Sequence, residues 1–245
     1  RALRIIEKTK GPEHPNVSIT CGNLGRFLKE AKGDLAGAEE MLRKCLRIKE
    51  KTFGPEHSNV GIACSNLGCV LREKGDLAGA EEMLRKCLRI LEKAFGPEHF
   101  NVGTTCGNLG ILCWENGDMA GAEEMLQRAL RINEKVFGPE HEEVGKPCHQ
   151  LWQVLRAKGD LEGAEEMLRK CLRIQENMFG PGHSNVATSC FNLGYLMVEK
   201  RDKIGANHFL QRYLRIQENL HGFTDPQTNE FRDFLDMLGL RALSL

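Results

Sequence analysis

Apolar residues recur at helical spacing in two consecutive stretches, for which residues 60–95 are representative. The first stretch runs from Val60 to Lys74 and stops at Gly75-Asp76. Glycine can take the left-handed conformation that ends a helix, and the following Asp can cap the next one. The second stretch, 77–95, has apolar residues at helical spacing, namely Ala80, Leu84, Cys87, Leu88 and Leu91. The pattern predicts a pair of helices joined by a tight turn.

Charged residues follow the same helical spacing on the second stretch. Glu81 lies four residues before Arg85, and Glu82 lies four residues before Lys86. Such pairs stabilise a helix by about 0.2–0.5 kcal/mol each. We therefore predict two ion pairs within this helix and interpret them as part of a solvated face.

This unit recurs along the chain. Its connector, Gly-Pro-Glu-His or a close variant, begins at Gly11, Gly54, Gly96, Gly138 and Gly180, and a weak sixth copy begins at Gly222. The spacing is 43 residues once and 42 thereafter. One helical pair cannot bury its own apolar faces, so neighbouring units must stack. The predicted fold is an all-α, right-handed superhelical solenoid of about five helix-turn-helix repeats, with a closing helix at the C-terminal end.

The repeat spacing also predicts the organisation of the chain. Residues 1–10 are expected to be the end of a preceding repeat helix, which indicates a piece excised from a longer protein. The repeats are expected at 11–53, 54–95, 96–137, 138–179 and 180–221. Residues 222–245 are expected to form the closing helix, in which 224–240 places apolar residues on one side: Phe231, Phe234, Leu235 and Leu238.

The recurring residues resemble the tetratricopeptide repeat family. The resemblance rests on a signature that in the second repeat reads Leu67-Gly68, Leu71, Ala80, Leu84 and Cys87. The 42-residue length, the Asn-Leu pair and the Gly-Pro-x-His connector are similar to the repeats of kinesin light chains. The resemblance covers essentially the whole chain. Similar repeats also form the sensor arm of nucleotide-binding, signal-transducing ATPases, but this chain has no Gly-x-x-x-x-Gly-Lys-Ser/Thr.

Composition narrows the classes of partner. Basic and acidic residues number 34 each, so the formal net charge is zero and nothing favours nucleic acid or an anionic membrane. No apolar run of about 18 residues is present, so no membrane span is predicted. We find no Ser/His/Asp, Cys/His or paired-carboxylate constellation, and therefore expect neither an enzyme nor a cofactor.

The ten cysteines follow the repeat. Five share one first-helix position, Cys21, Cys64, Cys106, Cys148 and Cys190, and three share one second-helix position, Cys45, Cys87 and Cys171. We interpret them as small packing residues, because free Cys packs as a small hydrophobe and no Cys-x-x-Cys occurs. Unpaired thiols favour a reducing compartment, here the cytoplasm. Cys69 and Cys113 lie outside these two positions. Of the two, Cys69 falls at a predicted surface position and is expected to be the more reactive thiol, without a catalytic role.

One histidine precedes each first helix: His14, His57, His99, His141 and His183. We interpret them as loop-and-cap residues. A row of metal-binding or titrating sites would require side chains one repeat apart to converge, and stacked helical pairs do not bring them together. No metal site is therefore predicted.

The first helices differ among repeats more than the second helices, in which Gly-Ala-Glu-Glu-Met-Leu is identical four times. The variable positions lie three or four residues apart and share a face. By resemblance, this face lines the concave groove in which the family holds peptides, and its Asn residues contact the ligand main chain. The candidate groove residues are Asn23, Arg26, Lys29, Asn66, Arg72, Asn108, Trp114, Lys146, Gln150, Gln153, Arg156, Asn192 and Tyr195.

Two further interpretations of these residues remain open. The Asn row could order the stack instead of binding a ligand, through bonds to the adjacent repeat. The cations near the row, Arg26, Lys29, Arg72, Lys146 and Arg156, favour a mildly acidic peptide with an apolar or aromatic anchor, although Glu30, Glu73, Glu115 and Glu199 partly offset them.

Repeat four departs from the pattern. Pro147 falls inside its predicted first helix, where it should remove a hydrogen bond and kink the chain. Trp152 replaces a glycine that allows close approach to Ala of the paired helix, so the helix should tilt or shift. Gln150 replaces Asn and His149 replaces a small residue. Either a specialised pocket or bend, or tolerated decay, accounts for these changes.

The favoured function is an adaptor-type or scaffold-type module that captures a peptide segment of another protein. The alternatives are a ligand-sensing or autoregulatory arm of a larger nucleotide-binding ATPase, and a structural spacer or self-associating array. The sequence leaves the ligand, the parent protein and the oligomeric state open.

Overall fold

The computed structural model describes residues 2–237 and residue 239. Within that part, the chain forms α-helices and no β-strand. The helices are α1 (Ala2–Lys10), α2 (Pro15–Lys32), α3 (Leu35–Phe53), α4 (Ser58–Glu73), α5 (Leu77–Phe95), α6 (Phe100–Glu115), α7 (Met119–Phe137), α8 (Glu142–Ala157), α9 (Leu161–Phe179), α10 (Ser184–Glu199), α11 (Lys203–His221) and α12 (Pro226–Met237). The all-α repeat fold is confirmed, with the bounds of α5 as predicted.

The turn between the two helices of a repeat has the predicted chemistry. Gly75 has a φ of +86°, in the region that glycine adopts without strain. Asp76 caps α5, because its Oδ1 accepts the backbone N–H of Gly79 at 2.9 Å. The same cap begins the other second helices in the described part, at Asp34, Asp118, Asp160 and Asp202.

The chain divides into two compact units, Arg1–Ile132 and Asn133–Leu245, and the division falls inside α7. In the first unit, helices α1 to α6 each contact the next one, and the first helices also contact one another, α2 with α4 and α4 with α6. In the second unit, helices α8 to α12 each contact the next one. The first helices of the first unit thus present adjoining surfaces.

A glycine sets how closely the two helices of a repeat approach. A Cβ added to Gly68 would lie 2.9 Å from the Cγ of Leu84 and 3.3 Å from the carbonyl oxygen of Ala80. No real Cβ packs at 2.9 Å, so a larger residue would separate α4 from α5. The predicted close approach of this glycine to the paired helix is confirmed.

Charge pairing between repeats differs from the prediction. Arg85 pairs with Glu81 at 2.7 Å, as expected within α5. The predicted Glu82–Lys86 pair is wrong, because Lys86 instead binds Glu50 of the preceding repeat at 2.6 Å. Stacking brings an acidic residue of the previous second helix closer than the one on the same helix. The equivalent pairs are Lys44–Glu7, Arg128–Glu92, Lys170–Glu134 and Arg212–Glu176.

The C-terminal helix α12 packs on α11 in the second unit. The Phe231 ring lies 4.6 Å from the Tyr213 ring, and Leu235 is buried. Phe234, which was expected on the same side, is 41% exposed. Leu238 and Leu240, the other residues expected in this helix, lie outside the described residues.

Candidate functional site

Three amide side chains mark the first-helix face of the first unit. Asn66 and Asn108 are half-buried, and neither side chain has a hydrogen-bond partner among the described residues. Asn23 is exposed and accepts from Arg26 Nη2 at 3.3 Å. Because no bond joins these amides to an adjacent repeat, the geometry does not support a role in ordering the stack.

The second unit carries the same feature on α8 and α10. Gln150 and Asn192 are half-buried, and within residues 2–237 neither side chain has a hydrogen-bond partner. Each amide offers two N–H donors and an acceptor oxygen. A main-chain amide of a ligand, which also has one N–H and one C=O, can pair with both kinds of group.

The cations of the first unit are held by acidic residues of the next repeat. Lys29 Nζ lies 2.8 Å from Glu73, and Arg72 Nη1 lies 2.6 Å from Glu115. These pairs neutralise much of the positive charge that the sequence suggested for this face.

The second unit repeats this arrangement. Arg156 binds Glu199 with two hydrogen bonds, of which Nε–Oε2 is 2.7 Å, and this pairing lowers the pKa of the Glu199 carboxyl. The Arg156 guanidinium also lies over the Tyr195 ring, 4.9 Å from its centre. Lys146 pairs with Glu143 on its own helix. Of the remaining predicted groove residues, Trp114 is half-buried and Gln153 exposed.

The first-helix cysteines are packing residues, as predicted. Cys64 is fully buried, and burial raises the pKa of its thiol to about 12. Cys69 is half-buried whereas Cys113 is buried, and desolvation raises the pKa of the Cys69 thiol against the opposing effect of Lys29 and Arg72, so its greater reactivity stays a prediction. A raised pKa lowers the thiolate fraction and thus the reactivity. All ten cysteines are free, and no cluster of metal-ligating side chains occurs in the described part of the chain.

The connector histidines cap the first helices, as predicted. His57 Nδ1 accepts the backbone N–H of Asn59 at 3.1 Å, and its ring stacks on Phe53 at 4.9 Å. The equivalent caps are His14, His99, His141 and His183.

The first helix of repeat four, α8, is continuous through Pro147 and has the same length as α4, α6 and α10. Proline has no N–H, so the carbonyl of Glu143, four residues earlier, loses its helical partner. The Asn133 side chain replaces that partner, since its Nδ2 donates to the Glu143 carbonyl at 2.6 Å. Asn133 is only 6% exposed, so the bond is formed away from water.

The Trp152 side chain is buried on α8, and its indole Nε1 has no hydrogen-bond partner. Its ring lies 6.5 Å from the ring of half-buried His149, edge to face. Burial lowers the pKa of His149 below its usual value. The tilt of α8 that Trp152 was expected to cause stays a prediction.

A cavity of about 300 Å³ lies between α8, α9 and the start of α10. Its lining includes Gly145, His149 and Gln150 from α8 and Ile174 and Met178 from α9. The cavity thus includes His149 beside Gln150, and His149 was not among the predicted groove residues.

One position of the second helices, which was not among the predicted site residues, determines the contacts with the first helices in this region. It is occupied in turn by Lys49, Leu91, Asn133, Gln175 and Gln217. In the second unit, Asn133 and Gln175 both bond the following first helix. The sequence signal for this position was its variation among second helices that are otherwise nearly identical.

Comparison with known proteins agrees with this architecture. The Tetratricopeptide repeat family model matches residues 22–93, 65–135, 101–177 and 148–219, so the chain belongs to the tetratricopeptide repeat family. This family typically serves as an interaction scaffold. Among curated proteins no match was found.

Solved structures with a similar fold include kinesin-light-chain-like proteins. The nearly identical TPR-like repeats of a kinesin-light-chain candidate from Podosopora anserina match with a TM-score of 0.74 and 23% identity, over 85% of this chain and 99% of that one. BtubC (BKLC) from P. vanneervenii matches with a TM-score of 0.77 and 19% identity, over 100% and 92%. YrrB, a TPR protein with an unusual peptide-binding site, matches with a TM-score of 0.58 and 22% identity, over 96% and 99%.

Across the helices that the structure describes, none combines the length and the apolar character needed to cross a membrane.

Proposed function

We propose that this protein is a non-enzymatic interaction module whose first-helix face binds an extended peptide segment of another protein. The observation that carries the proposal is the unmet hydrogen-bonding capacity of half-buried amides on the first helices, present within each unit taken by itself: Asn66 and Asn108 in the first unit, and Gln150 and Asn192 in the second. An extended peptide exposes a main-chain N–H and C=O at every residue. Amide side chains can pair with both groups whatever the ligand sequence.

The ion pairs on this face bear on the charge of the ligand. Lys29, Arg72 and Arg156 are already paired with glutamates, so an acidic peptide must compete with those carboxylates. The Arg26 guanidinium donates a hydrogen bond to the neutral Asn23 and is not paired with a glutamate among the described residues of this face. It is therefore the cation best placed to favour an acidic ligand residue. The preference for acidic peptides is therefore modest and falls as salt rises.

Two other observations support the proposal. A fold of this kind carries a peptide-binding site in YrrB. The ten unpaired thiols fit a reducing compartment, and we propose the cytoplasm as the site of action.

The test is a selection of peptides from a display library on the folded chain. The variant Asn66→Asp/Asn108→Asp keeps the side-chain shape but replaces both amide donors with carboxylate oxygens. Asn116→Asp/Asn219→Asp adds the same charge at two exposed positions that are not among the candidate groove residues. We expect enriched peptides that bind the wild type and the control but lose at least tenfold in affinity for the first variant.

Peptides that bind the Asn66→Asp/Asn108→Asp variant unchanged would contradict the proposal, as would a folded sample that enriches none. In that second case, concentration-dependent assembly in sedimentation would favour a self-associating array.

A further inference from the structure

The cavity of repeat four exists because a leucine that closes the equivalent place in repeat two is missing. In repeat two, Leu91 lies against Gly61, where an added Cβ would be 3.1 Å from the Leu91 Cδ2. Repeat four has Gln175 at the leucine position. An added Cβ on Gly145 would meet only the Ile174 Cγ2, at 3.6 Å. The space beside Gly145 is therefore open.

Gln175 lines this space without filling it, because its amide is bonded to Ser189 of α10 and to Cys171 of its own helix. Its Oε1 accepts from Ser189 Oγ at 2.7 Å, and its Nε2 donates to Cys171 Sγ at 3.3 Å. These bonds hold the amide toward α10 and leave the cavity of about 300 Å³.

The lining combines apolar walls with two half-buried polar side chains, while the polar side chains of Glu142, Lys146 and Asn185 lie at its exposed edge. Ile174, Met178 and Cys171 supply apolar and sulfur contacts, and sulfur packs favourably against aromatic rings. His149 and Gln150 have no hydrogen-bond partner in the part of the chain that the structure describes. Burial lowers the pKa of His149, so a neutral imidazole presents one donor and one acceptor.

The volume of the cavity limits the size of the group that it can hold. It lies at the lower end of the range of small-molecule sites, about 300–1,000 Å³, and so suits one large side chain. An aliphatic side chain would leave the half-buried His149 and Gln150 unpaired. The lining carries one residue of each charge, Glu142 and Lys146, so it favours neither sign of ligand charge. Tyr and Trp have the complementary form, an apolar body with a single polar edge.

We propose that this cavity holds the side chain of a Tyr or Trp residue of the bound peptide, with its polar edge hydrogen-bonded to His149 or Gln150. The inference rests on the proposed function, because the same Gln150 belongs to the amide row. It makes repeat four a specificity-determining part of the peptide site.

The first test measures the cavity alone, in the full chain labelled with [methyl-¹³C]methionine. N-acetyl-tryptophanamide is the probe and N-acetyl-alaninamide its control. The Met178 methyl signal, assigned with Met178→Leu, should move saturably with the tryptophan probe only. Gln175→Leu, which restores the residue of repeat two, should weaken this response at least tenfold, whereas Gln217→Leu in α11 should leave it unchanged. Gly145→Leu fills the cavity from the other wall and should act like Gln175→Leu.

The second test repeats the display selection on the wild type and on Gln175→Leu. The inference predicts Tyr or Trp at one position of the peptides selected by the wild type, and loss of that bias on Gln175→Leu. The inference would be overturned if the selected peptides showed no such bias. It would also be overturned if the Met178 signal did not move with the probe, or moved equally in Gln175→Leu. Each of these results would leave the proposed function standing. A normal Met178 response with no selected peptides would overturn the proposed function instead, and with it the assignment of the cavity to a peptide.

Discussion

The hydrogen bond between the Asn133 side chain and the Glu143 carbonyl compensates for Pro147, and this can be tested directly. Asn133→Leu introduces the residue that repeat two has at this position, where Leu91 is 2% exposed. The substitution removes the donor that lies 2.6 Å from the carbonyl. The carbonyl cannot recover a helical partner, because residue 147 is a proline.

Asn133→Leu should lower the free energy of unfolding by about 1–3 kcal/mol, because it leaves the buried Glu143 carbonyl without a hydrogen-bond partner. In a Pro147→Ala background the N–H of residue 147 bonds the Glu143 carbonyl again. The same Asn133→Leu change should then cost less than about 0.5 kcal/mol, because the helical bond replaces the lost one. Alanine fits at this position, as buried Ala63 shows in repeat two. The expected coupling energy in the double-mutant cycle is therefore about 0.5–3 kcal/mol.

The assay must report on the second unit alone, since long repeat arrays need not unfold in one step. The chain has two tryptophans, and Trp114→Phe leaves Trp152 of α8 as the fluorophore. Urea unfolding of the four cycle variants in this background gives the coupling. Equal costs of Asn133→Leu with and without Pro147 would refute the reasoning, because the bond would then be an incidental contact.

Three further predictions follow from packing, capping and burial. Gly145→Ala should raise the free energy of unfolding by about 0.5–1 kcal/mol, because alanine is the better helix former and its Cβ has room. Gly61→Ala should not show this gain, because the added Cβ would crowd Leu91 and Ile90. Urea denaturation of the two variants gives the comparison. His57→Ala should cost about 0.5–2 kcal/mol through the lost cap, and His57→Asp should retain most of the stability, as Asp225 caps α12 in this chain; thermal unfolding would show equal losses if the cap were irrelevant. At pH 8, Cys64, with a thiol pKa raised to about 12, should react with Ellman's reagent at least about a hundredfold more slowly in the folded chain than in urea, and equal rates would contradict its burial.

Local chemistry made most of the fold predictable from sequence. The Gly75-Asp76 pair ends one helix and caps the next through bonds within a few residues. Burial of Cys64 follows from its constant place in the repeat. Contacts between repeats were less predictable. Lys86 pairs with Glu50 because stacking brings them together, and sequence spacing alone favoured its neighbour Glu82.

The candidate site was predictable only in part. The shared face of Asn66 and Asn108 follows from the repeat, and their lack of partners appears only in three dimensions. The pairing of Arg72 with Glu115 depends on the offset between successive first helices. The cavity escaped prediction because it depends on Gln175, which belongs to a second helix and turns away to Ser189.

Repeat four is better interpreted as specialised than as decayed, because the polar groups that Pro147 frees and Gln175 introduces have partners. The carbonyl freed by Pro147 is bound by Asn133, and both polar ends of Gln175 are bound. Unselected drift would leave such groups unpaired, at about 1–3 kcal/mol each. The buried indole N–H of Trp152 and the half-buried side chains of His149 and Gln150 have no hydrogen-bond partner in the described part of the chain, and the Trp152 ring lies beside His149 at the cavity. Natural proteins tolerate such a locally unfavourable group mainly at functional sites, so this uncompensated cost supports a binding role for the region around His149.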